Sequence, residues 1–145
     1  MKKLFKNICI ASDHAGYELK DKIKDFLIGR SISVIDLGTF SKDSVDYPDY
    51  AKKVAKRLIL KKSDAGVLVC GSGTGMAISA NKFKGIRAAQ CYNKSSTILS
   101  RKHNNSNIIC LGSRMLKYQD AFKYVTYFLS TKFEGGRHKK RINKI

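Results

Sequence analysis

What this sequence lacks narrows its class before any motif is considered. No apolar stretch approaches the length a bilayer requires, so a membrane-spanning protein is not expected. Met1 to Lys6 carry the positive charge of an export signal, but the apolar run behind them stops at Ser12 and Asp13, too soon for the core of such a signal. A soluble, cytoplasmic protein is expected. Cysteines 9, 70, 91 and 110 form no CxxC pair and no histidine spacing suggests zinc, which argues for reduced thiols and no metal. Low-complexity segments are missing too. A chain of 145 residues, 43% of them hydrophobic, can bury one core and is too short for two ordinary domains. Acidic residues are scarce, 11 against 29 lysines and arginines, for a net charge of +18.

That excess charge raises a nucleotide or nucleic-acid binding reading, since clustered Lys and Arg release counterions from phosphate backbones. The lysines are instead scattered singly or in pairs on what look like exposed helix faces, as at Lys20, Lys22 and Lys24 or at Lys52, Lys53 and Lys56. Neither interleaved aromatics nor a concentrated basic helix accompanies them. Solvated surface charge is the plainer explanation, and no nucleic-acid partner is expected. The charge would still favour small anionic substrates on encounter.

Strands and helices alternate along the chain. Asn7 to Ala11 is a short apolar run, followed after Ser12–Gly16 by Leu19, Ile23, Phe26 and Leu27 at helical spacing up to Gly29. Ile32 to Leu37 makes a second strand. After a polar loop from Gly38 to Asp46, Pro48 starts a helix with Ala51, Val54, Ala55, Leu58 and Ile59 inward. Ala65 to Cys70 is a third strand, and a short helix runs from Met76 to about Lys82. Ile86–Cys91 and Asn107–Leu111 are further strands, separated by a helix over Lys94–Lys102. A last helix, Gln119–Thr131, turns Phe122, Val125, Phe128 and Leu129 inward. Such alternation forces a parallel sheet covered twice. The expectation is one α/β domain over residues 1–132, a doubly wound, Rossmann-like five-stranded sheet. The basic tail, residues 133–145, is either loose or reaches a partner subunit with Arg137, His138 and Arg141.

Ligands of open parallel sheets bind at the carboxyl ends of strands, where two loops compete. One carries Asp13 and His14. The other opens with Cys70 and runs through Gly71, Ser72, Gly73, Thr74 and Gly75, bringing bare amides to a helix start that could hold phosphate or an oxyanion. It has no P-loop lysine and no dinucleotide glycine spacing, so a plain tight turn also fits. Cys70 is either a small buried strand-end residue or a thiol whose thiolate the helix start favours, placed as base or nucleophile. Cys9 and Cys110, inside apolar runs, suit inert buried thiols. His103 is an ordinary surface histidine or a functional one. It enters its strand at the amino edge, opposite Cys70, so a site using both needs two subunits.

Seven segments together resemble the ribose-5-phosphate isomerase B and galactose-6-phosphate isomerase family over nearly the whole chain. They are Ser12-Asp13-His14-Ala15-Gly16, Val45-Asp46-Tyr47-Pro48, Cys70-Gly71-Ser72-Gly73-Thr74-Gly75, Ala80-Asn81-Lys82-Phe83, Ser100-Arg101-Lys102-His103-Asn104, Leu111-Gly112-Ser113-Arg114 and Phe133-Glu134-Gly135-Gly136-Arg137-His138. The resemblance implies interconversion of ribose 5-phosphate and ribulose 5-phosphate by a homodimer or dimer of dimers with shared active sites, without metal or organic cofactor. His103, helped by Asp13, would open the sugar ring. Cys70 would carry a proton between C2 and C1 through a cis-enediolate, with Ser72 beside it and the amides of Gly71 to Gly75 stabilising the charge. Tyr47 and Asn104 would contact sugar hydroxyls or support the site, and His14, Arg114, Arg137 and Arg141 would hold phosphate. Some relatives place a Glu base in the glycine loop. Thr74 stands there here, which marks the thiol-base kind, and Ser72 replaces a commoner Thr while keeping the hydroxyl. Because one chain carries thiol, histidine and arginines together, the pentose phosphate is favoured, with allose 6-phosphate or galactose 6-phosphate as alternatives.

Overall fold

Near-continuous apolar runs make the middle of this protein. The third and fifth strands are buried at every position, as strands covered on both faces must be. The computed structural model describes residues 4–145, so the first three residues of the basic start lie outside the described ones. In chain order the elements are β1 (Asn7–Ser12), α1 (Tyr17–Ile28), β2 (Ser33–Asp36), α2 (Tyr47–Ile59), β3 (Ala65–Cys70) and α3 (Thr74–Ala80). They continue with β4 (Ala88–Gln90), α4 (Lys94–Asn104), β5 (Ile108–Gly112), α5 (Tyr118–Ser130) and α6 (Arg137–Ile142). The strands form one parallel sheet in the order β2-β1-β3-β5-β4. No helix among the described residues is long and apolar enough to cross a membrane.

Alternation along each strand sorts the core into two layers. Ile8, Ile10, Val67, Val69, Ile109 and Leu111 pack with α1 and α5, which contribute Leu19, Ile23, Val125 and Phe128. Cys9, Ala11, Leu68, Cys70, Ile108 and Cys110 pack with α2 and α3 through Ala51, Val54, Ala55 and Met76. Burial pushes the Cys9 thiol up to about 11, against smaller opposing effects of Ser63 and Arg57, and holds Cys91 and Cys110 above the ordinary thiol value. The helix starts follow their caps. Asp46 precedes α2 with Pro48 in its first turn, and Asn93 exchanges hydrogen bonds with Ser96 in a capping box at α4.

Four expectations need correction. Ile59 is 47% exposed, because it falls to the side of the helix stripe formed by Ala51, Val54, Ala55 and Leu58, which alone packs on the sheet. The fourth strand is only Ala88–Gln90; just before it the Arg87 amide donates to the Asn107 side chain at 2.9 Å, and Asn81 covers the outer edge at Ala88 through both ends of its amide. Lys20 is fully buried rather than solvated. Its Nζ donates to both Asp36 carboxylate oxygens at 2.7 and 2.8 Å and to the Thr39 carbonyl at 2.7 Å, so all three ammonium protons are used. The tail, finally, is not loose. It turns into α6, which gathers Arg137, Lys139, Lys140 and Arg141 into a short basic helix. Its one buried side chain, His138, lies against His103 of α4, and the Glu134 amide donates to the Lys102 carbonyl at 3.1 Å.

Candidate active site

All five strands run the same way, so Ser12, Cys70 and Gly112 end side by side at one edge of the sheet. Cross-links bind the three loops that leave them. The Asp13 amide donates to the Val69 carbonyl at 3.2 Å, Ser113 N to Cys70 O at 2.9 Å, and Arg114 N to Gly71 O at 3.0 Å. The Ser113 hydroxyl donates to Ala15 O at 2.8 Å. From the other side, the Ser12 amide donates to Gly38 O and its carbonyl accepts from Thr39 N. That stretch is the one pinned by Lys20 and Asp36. Burial works to raise the Asp36 pKa, yet its bonds to Lys20 and to the Gly38 amide outweigh burial and hold the carboxyl below its ordinary value.

Between these loops lies a hollow of about 390 Å³ lined by Asp13, Tyr47, Cys70, Gly71, Ser72, Gly75, Arg114 and Met115. A second hollow of about 360 Å³ at Asn81, Arg87, Ala89 and Asn104 is nearly as large. Chemistry, not size, separates them: only the first unites a thiol, a carboxylate, a guanidinium and loop amides. Cys70 is 4% exposed, and its Sγ accepts the Gly73 amide at 3.2 Å, a donor aimed at the atom where thiolate charge would sit. Gly73 adopts φ +82°, a left-handed conformation that bends the loop sharply enough to deliver that amide. The Tyr47 ring fills the space a side chain at Gly75 would need, 2.7 Å from an ideal Cβ, and Arg114 Nη1 does the same at Gly71, 2.9 Å from an ideal Cβ there.

The expected row of five free amides is shorter in fact. Gly73 N is turned to sulfur and Thr74 N donates to the Ser72 hydroxyl at 3.2 Å, which leaves the amides of Gly71, Ser72 and Gly75, the three loop residues that line the hollow. Thr74 presents its hydroxyl to Gln90, which also donates to the Ser72 carbonyl at 2.9 Å. Asp13 Oδ1 accepts the Gly16 amide, and His14, which follows Asp13 but does not itself line the hollow, accepts the Val45 amide on Nδ1 at 3.2 Å. Two neighbours escaped the sequence reading. Gln90 braces the glycine loop, and its position as the last residue of a strand could have shown it. Met115 lines the hollow with no polar signal at all.

The remaining expected residues stand elsewhere. His103 and Asn104 end α4, which feeds the amino edge of β5, the far edge of the sheet from Cys70. His103 stacks on His138 of α6 with ring centroids 4.2 Å apart and planes 12° from parallel. Arg137 and Arg141 are exposed on the same helix. Burial, then the neighbouring His103 and Arg137, pushes His138 below the ordinary histidine value. Nearby Arg101 is buried. It donates to Thr131 O and Ser106 O and lies over the Phe5 and Phe128 rings, which makes it a clasp for the chain rather than a ligand group.

Residues 8–145 match the family model described as Ribose/Galactose Isomerase. Ribose-5-phosphate isomerase B of Escherichia coli is 43% identical over 140 residues, 97% of this chain and 94% of that protein. A crystal structure of a ribose 5-phosphate isomerase from Thermotoga maritima superposes with a TM-score of 0.94 at 52% identity, covering 95% of each chain. Ribose-5-phosphate isomerase B of Mycoplasma genitalium, solved with bound ribulose-5-phosphate, gives a TM-score of 0.90 at 43% identity over 95% of this chain and 92% of that one.

Proposed function

The chain belongs to the ribose/galactose isomerase family, and from that membership we propose that it interconverts D-ribose 5-phosphate and D-ribulose 5-phosphate with Cys70 as its base. The carrying observation is the Cys70 sulfur itself, which lines the hollow, takes a backbone N–H, and has Asp13 and the Arg114 guanidinium around the same space. Ring opening moves the proton of the C1 hydroxyl away and puts one on the ring oxygen, the work of His103 with Asp13. The Cys70 thiolate then removes the proton on C2, and the electron pair shifts through C1 onto its oxygen to give the cis-enediolate. Amides of Gly71, Ser72 and Gly75 and the Ser72 hydroxyl stabilise that oxygen. Returning the proton from the Cys70 thiol to C1, while the C2 hydroxyl proton passes to the C1 oxygen, leaves the ketose and the thiolate. No step calls for a metal or organic cofactor.

His14, Arg114, Arg137 and Arg141 hold the phosphate, and Tyr47, Thr74 and Asn104 contact or support the sugar. Since His103, Asn104, Arg137 and Arg141 lie across the sheet from Cys70, a second copy supplies them, in a homodimer or a dimer of dimers. The catalytic domain is then residues 1–132, with residues 133–145 reaching into the neighbour's site, in a cytoplasmic enzyme. Exposed Ile78, Tyr92 and Leu99, on elements around the edge strand β4, suit such an association.

A coupled assay with ribose, allose and galactose phosphates tests the substrate, and Cys70→Ala tests the base. Turnover of ribose 5-phosphate should fall by about 10³-fold or more while binding persists. Turnover retained in that variant would remove the thiol from the mechanism. The nucleic-acid alternative gains from α6 alone, and a gel shift across salt concentrations checks it.

A further inference from the structure

His103, Glu134 and His138 offer three ligand atoms that all lie within 4.8 Å of one another, on α4, the loop before α6, and α6 itself. Glu134 Oε2 stands 3.5 Å from His138 Nε2, a spacing set by their four-residue separation. The His138 side chain is only 9% exposed, yet its Nε2 has no hydrogen-bond partner among the described residues. A buried nitrogen aimed at a carboxylate without a bond to it carries a desolvation cost that a ligand would remove. The stacking of the two rings keeps the histidines side by side before anything binds.

We propose that this trio is a binding site for zinc or a similar divalent transition ion, and that an ion bound there inhibits the enzyme by taking His103 out of use. Two imidazoles and one carboxylate are a zinc donor set with a fourth position left for water. Calcium and magnesium, which want six or more oxygens, are excluded by the same set. Tetrahedral ligands with bonds of about 2.0 Å sit about 3.3 Å apart, so the widest gap must close. The exposed Glu134 and half-buried His103 have the freedom to close it and to tilt the stacked rings. Lys102, Arg137 and Arg141 weaken the attraction for a cation, which makes this a site of modest affinity suited to inhibition rather than to a resident ion. The inhibitory half rests on His103 opening the sugar ring as proposed above. The binding half does not.

Metal-stripped wild-type protein titrated with zinc against a chromophoric indicator should bind one ion per chain. Glu134→Gln, a change at an exposed position that leaves the fold alone, should lose at least about 10-fold in affinity, and His138→Ala should do the same. Cys70→Ser should bind as wild type does, and cobalt in place of zinc should give no thiolate charge-transfer band. Equal affinity in wild type and Glu134→Gln, or loss of binding in Cys70→Ser, would overturn the site. Zinc should slow ribose 5-phosphate turnover by wild type, chelator should restore it, and Glu134→Gln should turn over normally and resist zinc. Zinc bound at the trio with turnover unchanged would overturn the inhibition. A preparation with no isomerase activity would count against the proposed function, while the indicator titration would still decide the site.

Discussion

The two ends of the sheet are built differently. At the carboxyl edge, loops leaving three adjacent strands are tied to one another through backbone bonds and rest on the buried Lys20–Asp36 pair, so Cys70, Asp13 and Arg114 have fixed neighbours within one chain. At the amino edge, His103, Arg137 and Arg141 stand on helix ends, touched by the chain chiefly through the His103–His138 stack. In the function proposed above, the first is half of a site and the second holds the groups a second copy would bring to it. The difference teaches that pocket quality in one protomer measures how much of a site the protomer keeps for itself. On the proposed mechanism a phosphorylated sugar needs both halves, and one chain cannot fold them together without reversing a strand.

Mixing experiments would break that comparison most sharply. Cys70→Ala and His103→Ala, each slowed by about 10²-fold or more alone, should regain activity when unfolded together and refolded, because half of the resulting dimers are mixed and hold one intact site each. The expected recovery is about a quarter of the wild-type rate, read in the coupled assay. No recovery would mean that both residues act within one chain. Next in size is His103→Ala alone, which should cost about 10²-fold on ring-closed ribose 5-phosphate and far less on an already open analogue. Equal losses on the two would remove the ring-opening role.

The smallest effect tests the rigidity of the carboxyl edge. Removing one partner of a buried pair leaves a charge uncompensated, so Asp36→Asn should lower stability by about 3 kcal/mol at neutral pH in urea unfolding. The Asp36 carboxyl is held below its ordinary value, so its contribution is present above about pH 3.8 and is lost as pH falls through the lower folded value. The gap between variant and wild type should therefore narrow in acid, and a gap that stays constant there would assign the loss to packing rather than to charge.

How much of this was legible beforehand can be judged residue by residue. Cys70 could be placed because a thiol that closes an apolar run and opens a glycine loop has few other addresses in a parallel sheet. His103 could be placed at the opposite edge by strand direction alone. Lys20 could not, since its neighbours in sequence give a charged helix face and its partner Asp36 arrives from a different strand. The helix α6 was hidden for a similar reason: it buries a single side chain, His138, so no apolar period announces it.

The sequence by itself determined the order of strands and helices, the parallel sheet and the edge on which each candidate residue falls, because apolar period and crossover handedness are local and chiral rules. Tertiary structure alone decided which loop amides remain free, which lysine is buried, and that two histidines 35 positions apart lie face to face. Those depend on contacts between segments remote in the chain, and no local pattern encodes which partner a side chain will meet.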